Sequence, residues 1–328
     1  MTASTNVAGP VALAGAAGIG GPGGPDARAE VFSAAKKAKR RLTSRGAPIA
    51  ALIVAVLWTV PTFGLFISSF RPAPLVRTTG WWTIFTNPGF TLNNYSEVLA
   101  AGNSQLNLAG SFINSIAITL PATVIPLAIA SLAAYAFAWT EFRGKNILFI
   151  GVFALQIVPI QMALVPLLQY FSQGTIFGVP VVQAISGSGG YTQVWIAHTI
   201  FALPLGIYLL HNFISEIPRE VIEAARVDGA GHGQIFLRIV LPLSMPAIAS
   251  IAIFQFIWVW NDLLVALIFA DGAVAPMTKL LAEITGSRGQ DWHLLTAGAF
   301  LSILVPVLVF LALQRFFVRG LLAGSTKG

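Results

Sequence analysis

Cysteine is absent from the 328 residues, which excludes disulfides, thiolate nucleophiles and cysteine-based metal sites. Charged residues are also scarce, at 9% of the chain, where a soluble domain carries about 25%. Hydrophobic residues make up 56% of the sequence. A chain of this composition has too few polar groups to cover a surface in water, so we expect it to lie mainly in lipid.

Six apolar runs are long enough to cross about 30 Å of hydrocarbon, which takes roughly 20 helical residues. Each run contains at least one proline, and kinked helices of this kind are tolerated where neighbouring helices satisfy the freed backbone groups. The sequence therefore predicts an all-α membrane protein with six transmembrane helices. The expected spans are residues 47–70, 110–139, 147–171, 191–213, 243–270 and 294–317.

Lysine and arginine are distributed unevenly between the predicted loops. If the N-terminus is cytoplasmic, only Arg71, Arg77, Lys279 and Arg288 of the 19 basic residues lie outside. This bias follows the positive-inside rule and predicts an N-in, C-in protein in the plasma or inner membrane. It also accounts for the net charge of +7 without a nucleic-acid partner.

Motifs of nucleotide and metal chemistry are missing. The run 18-GIGGPGG-24 lies in a Gly/Ala/Pro-rich and basic tail, residues 1–46, without the strand and helix that a dinucleotide site needs. No G-x-x-x-x-G-K-[ST] motif is present, and the four histidines lack metal-ligand spacing. We expect no catalytic residues, no metal and no cofactor bound by this chain.

A charged, glycine-broken loop, residues 214–242, separates the fourth and fifth predicted spans. Pro218 favours a helix start, and PREVIEAARVD predicts about three helical turns in which Glu223 and Arg226 pair. Val221, Ala224 and Ala225 predict its apolar stripe, and Gly229 and Gly231 predict its end in left-handed conformation. A second helix is expected from about Gln234 into the fifth span. From physics alone, a mechanical lever and a solvated connecting loop are equally good interpretations.

The same loop carries a specific pattern, EAA-x3-G-x9-I-x-LP, from Glu223 to Pro242. This pattern resembles the EAA loop of ABC-importer permeases, and the resemblance extends over about residues 47–328. Stretches such as 113-INSIAITLP-121 and 257-IWVWNDLLVAL-267 are similar to the carbohydrate branch, in particular to the maltose-permease G-type subunits. The tail is longer than is usual there.

The resemblance implies the type I ABC importer permease fold. It implies a homologous second permease subunit, two ATPase subunits that use ATP, and an extracytoplasmic solute-binding protein as partners. It also implies that the loop couples this chain to the ATPase, with Glu223 anchoring the helix and Gly229 allowing the turn. The expected coupling residues are Glu220, Glu223, Ala224, Ala225, Asp228, Gly229, Ile239, Leu241 and Pro242.

Polar residues inside the predicted spans are candidates for a substrate pathway: Asn114, Trp260, Asn261 and Asp262. An aromatic face beside hydrogen-bonding groups suits a sugar, and a carboxylate in the bilayer should face protein or water. The alternative is interhelical hydrogen bonding, which we favour for Asn114, Gln156 and Gln161.

Two further alternatives stay open at this point. The charged external loop 271–292 is either a contact for the binding protein or a solvated loop. An ion-gradient-driven secondary transporter is the rival function, but it would need its own ion site, typically polar groups near the midplane. We see one acid in a span and no clear inverted repeat. The leading prediction is the permease subunit of an ATP-driven carbohydrate importer.

Overall fold

The computed structural model describes residues 46–99, 108–173, 175–176, 179–180, 190–270, 272–286 and 291–325. The predicted tail therefore lies outside the described residues except for Gly46. The chain divides into two units, Met1–Thr62 and Phe63–Gly328.

Helix α1, Gly46–Ser69, begins in the first unit and ends in the second. Its part in the first unit is apolar, and the hydroxyl of Thr59 donates to the carbonyl of Ala55 at 2.7 Å. A hydroxyl satisfied within its own helix adds little cost to burial in lipid.

The second unit is almost entirely helical in its described part. Its first helices are α2 (Ala73–Thr78), α3 (Asn93–Leu99), α4 (Leu108–Trp139), α5 (Lys145–Ala154) and α6 (Ile160–Gln173). A two-residue antiparallel pair, β1 (Thr175–Ile176) and β2 (Val179–Pro180), follows. The remaining helices are α7 (Tyr191–Ile214), α8 (Arg219–Val227), α9 (His232–Ile235), α10 (Leu241–Trp260), α11 (Leu264–Phe269), α12 (Met277–Gly286) and α13 (Trp292–Ser325).

Within the described residues, five continuous helices are long and apolar enough to span a membrane, and a bent pair brings the number to six. The bent pair replaces the single helix expected over 147–171. It turns by 103° between Ile157 and Ile160, because Pro159 lacks an N–H and its ring pushes the preceding residue out of helical conformation. Val158 accordingly has an extended backbone, with φ −69° and ψ 119°.

The expected fifth span, 243–270, is also interrupted. Helix α10 ends at Trp260 and α11 begins at Leu264. The carboxylate of Asp262 accepts hydrogen bonds from the amides of Val265 at 3.0 Å and Ala266 at 3.3 Å. A side-chain cap at this point stabilises a new helix start and ends the expected continuous helix.

Helices α4 and α7 form the centre of the bundle. Their contact is lined by small residues, and a Cβ on Gly206 of α7 would lie 3.3 Å from the Cβ of Ala130 of α4. Small residues let two helix backbones approach closely where no water drives their association. Toward α8, the core continues with Tyr135, Leu210 and Ile214.

Residues 71–99 fold into a compact cap at the opposite end of α4 from α8. The buried guanidinium of Arg71 donates to the carbonyl of Gly80 at 2.6 Å and to the hydroxyls of Thr79 and Thr83. Asn94 donates from one amide nitrogen to the carbonyls of Ser69 and Arg71, both at 2.9 Å. The sequence had marked Arg71 only as one of the few predicted external charges.

Candidate functional site

Helix α8 ends in a glycine-dependent turn. The amide of Ala230 donates to the carbonyl of Ala225 at 2.9 Å, and the amide of Gly229 donates to the carbonyl of Arg226 at 3.0 Å. This pair of bonds requires a left-handed residue after the helix, and Gly229 has φ +80°. The expected left-handed end at Gly229 is confirmed, whereas the same expectation for Gly231 is wrong, because Gly231 is extended at φ −75° and precedes α9.

One face of α8 packs on the bundle and the other is exposed. Ile222 is only 1% exposed and Ala225 is also buried, both in the core that contains Ile214 and Ile217. Of the residues expected to form an apolar stripe, Ala225 is buried, whereas Val221 and Ala224 are exposed. Ile222 was missed, although its spacing of three from Ala225 is the helical signal for a shared face.

The exposed face carries charge and a free apolar residue. Glu223 accepts from Arg219 at 3.0 Å, so the expected pair of Glu223 with Arg226 is wrong. Arg226 instead donates to the main-chain carbonyl of Trp139 at 3.1 Å. Val227 is 88% exposed. This face offers a partner one acid–base pair and an apolar contact without disturbing the buried side.

The path from α8 to α10 contains a widened turn. Gln234 accepts a hydrogen bond from the amide of Gly231 at 3.3 Å and so helps to start α9. The helix then widens to i→i+5 hydrogen bonding over Phe236–Val240 and continues into α10. Pro242 explains the widening, because its ring would clash with the carbonyl of Arg238 in a regular helix.

A cavity of about 650 Å³ lies between α4, the α5–α6 break, α7 and α10. Aromatic and aliphatic side chains line most of it, including Phe201, Phe254 and Trp258, and two amides, Gln156 and Gln255, supply polar groups. Gln255 donates to the carbonyl of Ala122 at 3.1 Å. No charged side chain is among the described residues that line it. A concave apolar site with a few polar groups is a typical small-molecule site.

Comparison with protein families gives a match over residues 127–322 to the binding-protein-dependent transport system inner membrane component. The chain belongs to this family. The matched residues include the whole of α8, the α8–α10 connection and every residue that lines the cavity except Pro126.

Individual relatives agree with this membership. The osmoprotective compounds uptake permease protein GgtD of Synechocystis is 53% identical over 285 residues, which cover 85% of this chain and 91% of the relative. The alpha-glucoside transport system permease protein AglG of Rhizobium meliloti is 51% identical over 251 residues, 76% of this chain and 63% of AglG. The melibiose/raffinose/stachyose import permease protein MelC of Bacillus subtilis is 31% identical over 294 residues, 89% of this chain and 100% of MelC.

A solved structure shares the fold. A chain of a bacterial ABC transporter involved in the import of the acidic polysaccharide alginate matches with a TM-score of 0.60. The match has 21% sequence identity and covers 84% of this chain and 98% of the other. The predicted importer permease fold is thereby confirmed for this inner membrane component.

The four residues expected to line a pathway are not among the described residues that line the cavity. Trp260 is buried and donates from its indole nitrogen to the carbonyl of Ser302 at 3.0 Å. Asn261 donates to the carbonyl of Ile257 at 2.8 Å, and Asp262 caps α11. Trp258, two residues before Trp260, is the aromatic residue of this stretch that lines the cavity. Because α10 has apolar residues on every side, the sequence did not show which of its residues face the cavity.

Asn114 is held by interhelical contacts. Its amide nitrogen donates to the carbonyls of Ala273 at 3.2 Å and Ala275 at 3.1 Å, and its oxygen accepts from the hydroxyl of Tyr191. These bonds match the alternative that we favoured for Asn114. Gln156 and Gln161 are exposed, and Gln156 lines the cavity.

Asp262 also approaches a buried histidine. The Nε2 atom of His198 lies 3.8 Å from the Oδ2 atom of Asp262, and the His198 ring is roughly perpendicular to the Trp258 ring, with centroids 5.4 Å apart. His198 thus packs against Trp258, which lines the cavity. Within the described residues, no three His, Cys, Asp or Glu side chains are grouped as a metal site.

Loop 271–292 contains a docked helix in its described part. Met277 and Leu280 of α12 are buried, and the ammonium of Lys279 donates to the carbonyl of Ala270 at 2.5 Å. Asp291 lies 3.8 Å from Arg77. Asp271 and Arg288, which belong to this loop in the sequence, lie outside the described residues.

Proposed function

We propose that this chain is the permease subunit of an ATP-driven ABC importer for a carbohydrate, and that it forms half of the translocation pathway. The observation that carries the proposal is α8: the EAA pattern folds as a short helix with one anchored and one exposed face, joined to a membrane helix. Such a helix transmits displacement from a partner into the bundle. The relatives named for alpha-glucoside and for melibiose/raffinose/stachyose transport supply the class of cargo.

The exposed face of α8 is proposed to seat on a separate ATPase subunit. Glu223 and Glu220 present carboxylates, and Ala224 keeps the surface smooth enough for close approach. The remaining proposed coupling residues shape the turn and the entry into α10: Ala225, Asp228, Gly229, Ile239, Leu241 and Pro242. ATP is then bound and hydrolysed on two copies of the ATPase, and this chain has no catalytic residue of its own.

The proposed orientation places α8 and both termini in the cytoplasm, in accord with the distribution of basic residues. The opposite end, which includes α12 and the cap of residues 71–99, then faces the extracytoplasmic solute-binding protein. A homologous second permease completes the pathway.

The cavity is proposed to be this subunit's contribution to the pathway. Trp258 and Phe254 offer apolar faces to a sugar ring, and Gln156 offers hydrogen bonds to its hydroxyls. Because no charged side chain lines the cavity in its described part, an acidic sugar would find no counter-charge there. We infer that the cargo is a neutral carbohydrate, unlike the acidic polysaccharide imported by the structural neighbour.

Substitution of Glu223 by Lys tests the proposal. The Glu223–Arg219 pair is exposed, and such pairs contribute about 0–1 kcal/mol, so Glu223→Lys should leave the fold and membrane insertion intact. We expect loss of the copurifying ATPase and of ATP-driven uptake in proteoliposomes. Glu141→Lys is the matched control, because Glu141 is 93% exposed in the loop before α5 and should keep both. Uptake by this chain alone, without an ATPase and driven by an ion gradient, would contradict the proposal.

A further inference from the structure

The connection between α8 and α9 is rich in glycine. Gly229 and Gly231 lie in this connection and Gly233 follows in α9, and a Cβ built at each would meet no atom within 4 Å. No side chain packs against these positions, and glycine has more conformational freedom than any other residue, so the turn is held mainly by its own hydrogen bonds. A push on α8 would be absorbed here if nothing else connected α8 to the bundle.

Two side-chain contacts bridge this connection on the same helix. On the α8 side, Arg226 donates to the carbonyl of Trp139 at 3.1 Å. On the α9 side, Nδ1 of His232 lies 2.9 Å from the hydroxyl of Tyr135, in a hydrogen bond. Tyr135 and Trp139 are four apart on α4, so they lie one turn apart on one face. Gly229 and Gly231 are thus bracketed by two points of attachment on a single helix.

The attachment extends beyond hydrogen bonds. The ring of the buried Tyr135 contacts the rings of His232 and Phe236, with centroids 6.1 Å and 5.4 Å apart. The indole nitrogen of Trp139 donates to the carbonyl of Ile214, the last residue of α7, at 3.2 Å. Carbonyls at helix ends lack partners within their own helix. That of Trp139 accepts from Arg226, and that of Ile214 accepts from Trp139 and from the amide of Ile217.

We propose that Tyr135, Trp139, Arg226 and His232 form a brace that stiffens the glycine connection, so that displacement of α8 moves α4 and α7 together with α10. The brace rests on the proposed coupling function and adds residues outside the EAA pattern to it. Tyr135 acts as a positioning residue: it touches neither cargo nor ATP and works through His232.

Tyr135→Phe tests the brace, because it keeps the ring and removes only the hydroxyl. In the assembled importer in lipid nanodiscs, we expect the amides of residues 229–233 to exchange with deuterium about five-fold faster, the effect of losing one net hydrogen bond. We also expect more ATP hydrolysed per solute imported, with assembly unchanged. Tyr208→Phe is the matched control, since Tyr208 packs on Phe149 and Phe153 of α5 and should change neither readout.

A second substitution tests stiffness directly. Gly231 is extended and has open space around it, so Gly231→Ala fits and restricts the backbone. We expect the double variant Tyr135→Phe/Gly231→Ala to regain the wild-type ratio of ATP to solute. If Tyr135→Phe impairs assembly, Arg226→Gln is used instead, because it removes the attachment on the α8 side of the connection. We expect the same faster amide exchange and the same higher ratio of ATP to solute from it.

The outcomes separate the brace from the function on which it rests. Unchanged exchange and an unchanged ratio in both Tyr135→Phe and Arg226→Gln would overturn the brace while leaving the importer proposal intact. The brace would also be overturned if ATPase activity and uptake fell only in proportion to the loss of assembled complex, because that result would mean that these residues have a structural role alone. A wild-type complex that shows no ATP-driven uptake would instead remove the proposed function itself.

Discussion

Replacing Ile222 by Ala should detach α8 from the bundle without altering its exposed face. Ile222 is 1% exposed, so the substitution removes three buried carbons, each worth about 0.8 kcal/mol. The cavity left behind adds to this loss, and buried Ile→Ala changes cost about 2–5 kcal/mol in all. We take about 3 kcal/mol for the docking of α8, which corresponds to roughly a 100-fold increase in its detached population.

Hydrogen–deuterium exchange of the α8 amides in the full-length chain in nanodiscs measures this population. The Ile222→Ala variant should exchange about 100-fold faster over residues 222–227, while the amides of α7 keep their wild-type rates. Val227→Ala removes apolar carbons from the same helix at a position that is 88% exposed, and it should change nothing. Equal exchange in the two variants would refute the anchoring role of Ile222.

Two further substitutions test the opposite end of the bundle. Arg71→Ala should destabilise the cap of residues 71–99 by about 3 kcal/mol, because it removes charged hydrogen bonds to half-buried acceptors. A fall in thermal midpoint should appear for Arg71→Ala and not for Arg77→Ala, and equal midpoints would count against this. Asp262→Ala should cost about 1 kcal/mol through loss of the α11 cap, whereas Asp262→Asn should retain most of the stability. If Asp262→Ala instead blocks uptake at full stability, Asp262 acts in the pathway.

The elements of the α8 loop could be predicted because their signals are local. Pro218 and Gly229 act on their own backbone, and the expected helix over 218–229 corresponds to Arg219–Val227 in the structure. The partner of Glu223 could not be predicted in the same way. Arg219 and Arg226 are both at helical spacing from it, and the carbonyl of Trp139, which is distant in sequence, decides between them.

Prolines show where sequence reasoning fails in a membrane bundle. Pro121 and Pro126 lie inside α4, which continues through both, whereas Pro159 separates α5 and α6 by a 103° bend. All three remove an N–H, so the difference arises from how neighbouring helices satisfy the freed carbonyls. The cap at Asp262 is different: Asn-Asp before an apolar run is a helix-start signal, and it was available in the sequence.

The cavity could not be located from the sequence for a geometric reason. Helix α10 is apolar on all sides, so no polar face indicates which residues point inward. The choice between Trp258 and Trp260 depends on the packing of Trp260 against Phe256 and Phe112, which only the folded bundle defines.

The central claim is that the exposed face of α8 seats on an ATPase, and a single-cysteine cross-link tests it most directly. The chain contains no cysteine, so Val227→Cys introduces one reactive thiol on α8. The control is Trp82→Cys, because Trp82 is 63% exposed and lies on the cap at the opposite end of the bundle from α8. In native membranes, we predict that a short thiol-to-amine cross-linker joins Val227→Cys to the ATPase and leaves Trp82→Cys unlinked to it. Absence of an ATPase adduct from Val227→Cys, or equal adducts from both positions, would contradict the account.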